Sequence, residues 1–111
     1  NFKINELFMV KKKICKIDKI EKNNFFKIWI EDFKDEIIVY KYKNQIYVKS
    51  AICPHFGGPI SYQNDKYLFC YWHGLKFSIE NGQCINQKSF KTCLIDYLYE
   101  VKKDYIYVFK K

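Results

Sequence analysis

Arginine is missing from this chain. All twenty basic residues among its 111 are lysine, set against twelve Asp and Glu, for a net charge of +8. Such an excess invites a nucleic-acid partner, yet the side chain that makes bidentate contacts to phosphate and guanine is the one the sequence does without. Phe, Ile, Asn, Lys and Tyr make up more than half of the residues, the mark of an AT-rich coding sequence. The lysines are therefore read as solvated surface, with a basic docking face as the lesser reading, since net charge speaks to association and not to fold. No nucleic-acid partner is expected. Long apolar runs are also missing: nothing approaches the roughly eighteen residues of a membrane-spanning helix, and the start lacks the order of a secretory leader. A cytoplasmic protein without a membrane span is expected. The chain opens at Asn1 and not at methionine, so a trimmed chain or part of a longer product stays open.

With 111 residues, 49% of them apolar and 20% aromatic, the chain has the size and composition of one globular domain that buries a core without disulfides. One domain over 1–111 is expected, with no repeat and no linker. Five cysteines are an odd number, and without a secretory leader metal binding is a better use for them than a disulfide scaffold. Cys15, Cys84 and Cys93 read as small buried hydrophobes.

Short runs rich in β-branched and aromatic residues follow one another: FFKIWIE at 25–31, EIIVYKY at 36–42 and QIYVKSA at 45–51, with polar tips DFKD and KN between them. They predict an antiparallel meander. KFSI and QCIN flank Glu80, Asn81 and Gly82, and Asn-Gly signals a tight hairpin. LIDYLYEV and YIYVF flank Lys102, Lys103 and Asp104 as another. No long amphipathic helix is visible, only a weak turn near KIDKIEKN at 16–23. The pattern predicts an all-β domain in which residues 53–74 are an insertion between strands.

Histidine is nearly as scarce as arginine, with two in the chain. Both stand in CPHFGGPISYQNDKYLFCYWHG beside two of the cysteines, in the order Cys53, His55, Cys70, His73. Cys53 and His55 are two apart, so on an extended loop both point the same way, with Pro54 fixing the backbone between them. Cys70 and His73 are three apart, as at a tight turn. The fourteen residues between the pairs include Gly57, Gly58 and Pro59, which hold loops in shapes most residues resist. Two loops are expected to converge on one site. Structural zinc is one reading, and would make the chain a zinc-stabilised interaction module. Zinc commonly takes Cys-x(2–4)-Cys with His-x(3–5)-His, or four cysteines, so a Cys-x-His pair fits it poorly. The other reading is a two-iron cluster, each loop giving its cysteine to one iron and its histidine to the other.

CPH followed after fourteen residues by CYWHG resembles the Rieske [2Fe-2S] motif, Cys-x-His then Cys-x-x-His, in which two histidines share one iron. FGGPIS, GLKFSIENGQC and the terminal YEVKKDYIYVF are similar to segments of small Rieske ferredoxins, nitrite reductase small subunits and Rieske domains of ring-hydroxylating oxygenases. The likeness runs over residues 9–109. It implies a Rieske-like antiparallel β sandwich with a small cluster-binding subdomain of two loops, and one [2Fe-2S] cluster per chain. Cys53 and Cys70 would bind the inner iron, His55 and His73 the outer one near the surface. The implied role is one-electron transport from a flavin-dependent reductase to a terminal oxygenase, without substrate chemistry of its own. A subunit or domain of a nitrite reductase, beside its large subunit, or of an oxygenase is the alternative. Two departures stand out: the gap of fourteen is short for the family, and Tyr71 stands where proline is common. High-potential members continue Cys-x-x-His-Gly-Ser-x-Tyr, whose hydroxyls donate to the cluster, and carry a further cysteine in each loop, joined as a disulfide. Here Leu75 and Phe77, and Gly58 and Tyr71, occupy those positions. That implies the lower part of the Rieske range of about −150 to +300 mV. An apolar rim of Phe56, Pro59, Trp72 and Leu75 is expected around the site for a partner to cover.

Overall fold

A computed structural model describes residues 9–54, 57–63 and 65–110. Ile37, Ile38, Val39 and Tyr40 are all fully buried, and this run decides the architecture. Successive side chains of a strand leave opposite faces, so burial at four consecutive positions means cover on both sides. The strand is β3 (Asp35–Tyr42), which lies between β2 (Phe25–Ile30) and β4 (Gln45–Ser50) in an antiparallel sheet. Ile37 and Val39 share a core with Cys15, Ile106 and Val108 of a second sheet, made of β1 (Val10–Lys16), β9 (Tyr105–Lys110) and β8 (Leu98–Lys102) in that order. Ile38 and Tyr40 share another with Ile60, Leu68, Cys70, Leu75 and Phe77 of a third sheet, β5 (Ile60–Gln63), β6 (Tyr67–Cys70) and β7 (Leu75–Phe77). The expected antiparallel all-β sandwich is thus three sheets deep.

The third sheet shows that residues 53–74, read as an insertion between strands, contain two strands of their own, β5 and β6. ISYQ and YLFC are four-residue strands in which Ile60, Tyr62, Leu68 and Cys70 point into the core, too short for alternation to stand out among turn residues. The meander at 25–51 forms as read, in register from Phe25↔Tyr40 and Tyr42↔Gln45. Its KN tip places Lys43 and Asn44 at φ 51° and 64°, and the last hairpin does the same with Lys103 and Asp104 at 51° and 69°. Positive φ at both central residues gives the twist of a type I′ turn.

The tip DFKD is not polar in effect. Glu31–Phe33 form a 3₁₀ turn that buries Phe33, and Asp35 is buried behind it. QCIN supplies one isolated bridge, Phe77↔Cys84, in place of a strand, although the Asn81-Gly82 turn forms with Gly82 at φ 72°. Only the second half of LIDYLYEV is strand; its first half docks on β4, where Asp96 bridges Lys49 and the Tyr97 amide donates to the Val48 carbonyl at 3.0 Å. KIDKIEKN is a short helix, α1 (Ile17–Asn23), which sinks Ile20 into the first core and ends at Asn24 with φ 71°. Strand β1 was hidden by its lysines, since Cys15 alone of its residues is buried. Among the described residues, no helix is long and apolar enough to cross a membrane.

Candidate metal centre

Each cysteine of the motif opens a turn that a glycine closes four residues later. The Gly57 amide donates to the Cys53 carbonyl at 2.8 Å, and the Gly74 amide to the Cys70 carbonyl at 3.0 Å. Both glycines take positive φ, 75° and 68°, a region that costs other residues a clash with their Cβ. The two turns are therefore closed alike, Cys53 to Gly57 and Cys70 to Gly74. The first turn is held at its base by the Ile52↔Pro59 bridge and by the Cys53 amide donating to the Gly58 carbonyl at 2.8 Å. The second is the connection of the β6–β7 hairpin, with Cys70 opposite Leu75.

The turns meet through Gly58. A Cβ built there would lie 2.8 Å from Cγ of Trp72 and 3.0 Å from Sγ of Cys70, so the first loop's backbone rests directly on the second loop's sulfur. Cys53 and Cys70 are 1% and 0% exposed and belong to one core. His73 is exposed at the tip, and His55 and Phe56 lie outside the described residues. Among the described residues, no three His, Cys, Asp or Glu side chains gather as a metal site by themselves. The structure thus buries both cysteines in one core, brings the two turns into contact at Gly58, and leaves His73 exposed.

The rim differs from expectation. Trp72 and Pro59 are exposed, but Leu75 points into the core at 6% exposure, because Cys70↔Leu75 pairing turns both inward. Tyr71 takes its place on the outside, stacked edge-on against Phe69 at 4.9 Å and receiving a hydrogen bond from Gln63 at 2.9 Å. Hydrogen bonds to Ser61 and Gln63 lower its phenol from the ordinary value. Phe77 is fully buried, so neither of the two positions after the second motif presents a hydroxyl to the sulfurs.

Sequence reasoning missed Asn86. Its side chain receives the Lys76 amide at 2.8 Å and donates to the Gly74 carbonyl at 2.8 Å, bracing the second turn from outside. A tertiary contact of this kind leaves no local signal. Of the other cysteines Cys15 is buried, and burial raises its thiol above the ordinary value; Cys84 and Cys93 are half-buried, not fully buried as expected.

The donor set fits a [2Fe-2S] group: two thiols in a water-poor core, a glycine where a side chain would intrude, and a histidine on the solvent side. A search of the curated proteins finds no match. Solved structures do match. A ferredoxin from Sphingomonas yanoikuyae B1 superposes with a TM-score of 0.75 at 16% identity, over 92% of this chain and all of that one. The plasma membrane Rieske protein PetC3 of Synechocystis PCC 6803 gives 0.73 at 18%, over 87% and 97%. A protein proposed as the NADH-dependent nitrite reductase small subunit of Mycobacterium tuberculosis gives 0.66 at 12%, over 94% and 97%. At such identities the likeness speaks to the fold. The model of the Rieske [2Fe-2S] domain family matches residues 10–103, nearly the whole chain. The chain therefore belongs to the Rieske family and carries one [2Fe-2S] cluster.

Proposed function

We propose that this protein is a cytoplasmic one-electron carrier, a single domain over 1–111, whose cluster is held by Cys53 and Cys70 on the inner iron and by His55 and His73 on the outer. It takes electrons from a flavin-dependent reductase and delivers them to a terminal oxygenase. The observation that carries this reading is the pair of matched turns, with two buried cysteines beneath them and Gly58 leaving room between. When bound, the cluster supplies reversible one-electron chemistry. The chain's part is to shield and to present. Cys53 and Cys70 keep the sulfur side dry, and with two thiolates the oxidised cluster is neutral, so no net ion is buried. His73, Tyr71 and Trp72 are exposed on the other side, where a partner can approach closely.

A second reading, the small subunit of a nitrite reductase, is favoured by the fold likeness to the mycobacterial protein. In either case substrate chemistry lies in the partner. An oxygenase site takes two histidines and a carboxylate, and the two histidines of this sequence are both assigned to the cluster. The purified protein is expected to be brown-red, with about two irons and two acid-labile sulfides per chain, and Ala at Cys53, His55, Cys70 or His73 to lose or degrade the cluster. Zinc without sulfide would return the chain to an interaction module. Assayed alone with a chemical reductant and oxygen or nitrite, it is expected to form no product above a cluster-free control; catalytic turnover overturns the carrier reading.

A further inference from the structure

We propose that the buried carboxylate of Asp35 is a fixed negative charge behind the first ligand loop that holds the cluster's reduction potential down. The inference rests on Cys53 being a cluster ligand. Asp35 is 7% exposed, and among the described residues it takes part in no ion pair. Its partners are neutral: the Ser50 hydroxyl donates to Oδ1 at 2.9 Å and the Tyr97 phenol to Oδ2. Both partners are neutral hydroxyls, so neither sets a positive charge against the carboxyl.

The link to the site is short and directional. Ser50 Oγ accepts the Ile52 amide at 3.3 Å, one residue before Cys53. Every dipole in the series, from the Ile52 N–H through the Ser50 O–H to Asp35, points its positive end at the carboxylate. Asp35, Ser50, Ile52 and Cys53 also line one cavity of about 650 Å³ with Tyr97 and Leu98. Hydroxyl donors spread a charge without cancelling it, and a charge out of water acts further than one at the surface. A nearby negative charge opposes the arrival of an electron.

Film voltammetry on cluster-loaded protein, at one pH and one salt concentration, tests this. Asp35→Asn keeps the shape and removes the charge, and is expected to shift the midpoint upward with iron and sulfide content unchanged. Ser50→Ala removes the link and leaves the charge, and is expected to shift it much less. An intact-cluster Asp35→Asn with the wild-type midpoint overturns the proposal, as does an equal rise in both variants, which would make loop positioning the cause. Asp35→Ser is a second neutral replacement, small enough to sit between Ser50 and Tyr97, and is expected to raise the midpoint likewise; no rise there with an intact cluster overturns the proposal even where Asp35→Asn loses its fold. Wild-type protein that assembles no cluster defeats the ligand assignment instead.

Discussion

At the scale of single residues, the three glycines of the loops are needed for two different reasons. Gly57 and Gly74 have open space where a Cβ would go but take positive φ, so backbone conformation selects them. Gly58 shows the reverse, a Cβ meeting both Trp72 and the Cys70 sulfur. Trp72 is 62% exposed and can swing aside; Cys70 is fully buried and cannot. Gly58→Ala is therefore expected to displace Cys70, lower iron occupancy and cost about 1–3 kcal/mol, as overpacking does, checked by iron analysis and a denaturant titration. Normal occupancy and stability would show that the first loop yields instead. The same buried Cys70 sulfur is why this fold has no room for a loop-bridging cysteine at 58 as it stands. The motif itself was legible, because four scarce residue types at fixed spacing carry the information locally. Asp35 and Asn86 were not, because each acts through partners distant in sequence, Ser50 and Tyr97 for one, Gly74 and Lys76 for the other.

At the scale of elements, β7 is three residues long and turns Leu75 and Phe77 into the core that holds Cys53 and Cys70. Hydrogen bonds to cluster sulfurs raise Rieske potentials, and this strand offers none from its side chains. Leu75→Ser and Phe77→Tyr are each expected to raise the midpoint potential, and the double variant to exceed either; a wild-type value near the top of the family's range would mean that donors lie elsewhere. The strands that sequence pattern revealed were those six to eight residues long, β2, β3 and β4, and the six-residue β9. The four-residue strands β5 and β6 escaped it because so few positions cannot establish a period, whereas KFSI and LIDYLYEV located β7 and β8 without their bounds. In β1 the alternation is drowned by lysines that line an exposed edge, the usual guard against edge-to-edge pairing. The helix α1 was underestimated because seven residues have little propensity of their own and are held by packing Ile20.

At the scale of the whole molecule, tyrosine ties the layers together. Tyr40 donates to the Ile79 carbonyl, Tyr62 to Lys41 and Asp65, and Tyr97 to Asp35. Burial raises all three phenols above their ordinary value of 10.0. Each then keeps its proton in the fold while the unfolded chain releases it, so unfolding releases protons and stability falls as pH rises past about 10. The expected loss is ~1.4 kcal/mol per pH unit for each tyrosine, read from urea midpoints between pH 7 and 11; a level curve above pH 10 would show the phenols exposed. The same layering has an architectural result. The Ser50 amide donates to the Ile95 carbonyl at 2.8 Å and the Tyr97 amide to the Val48 carbonyl, so the chain leaves β4 for the sheet of β5, β6 and β7 and comes back to the place it left. Residues 51–94 form a closed excursion, and the six strands outside it complete their own pairing without them. Such a lobe is interchangeable: its joined ends cost little loop entropy, and another lobe can be grafted between Ser50 and Ile95 without shifting any strand of the platform, provided it covers Ile38 and Tyr40.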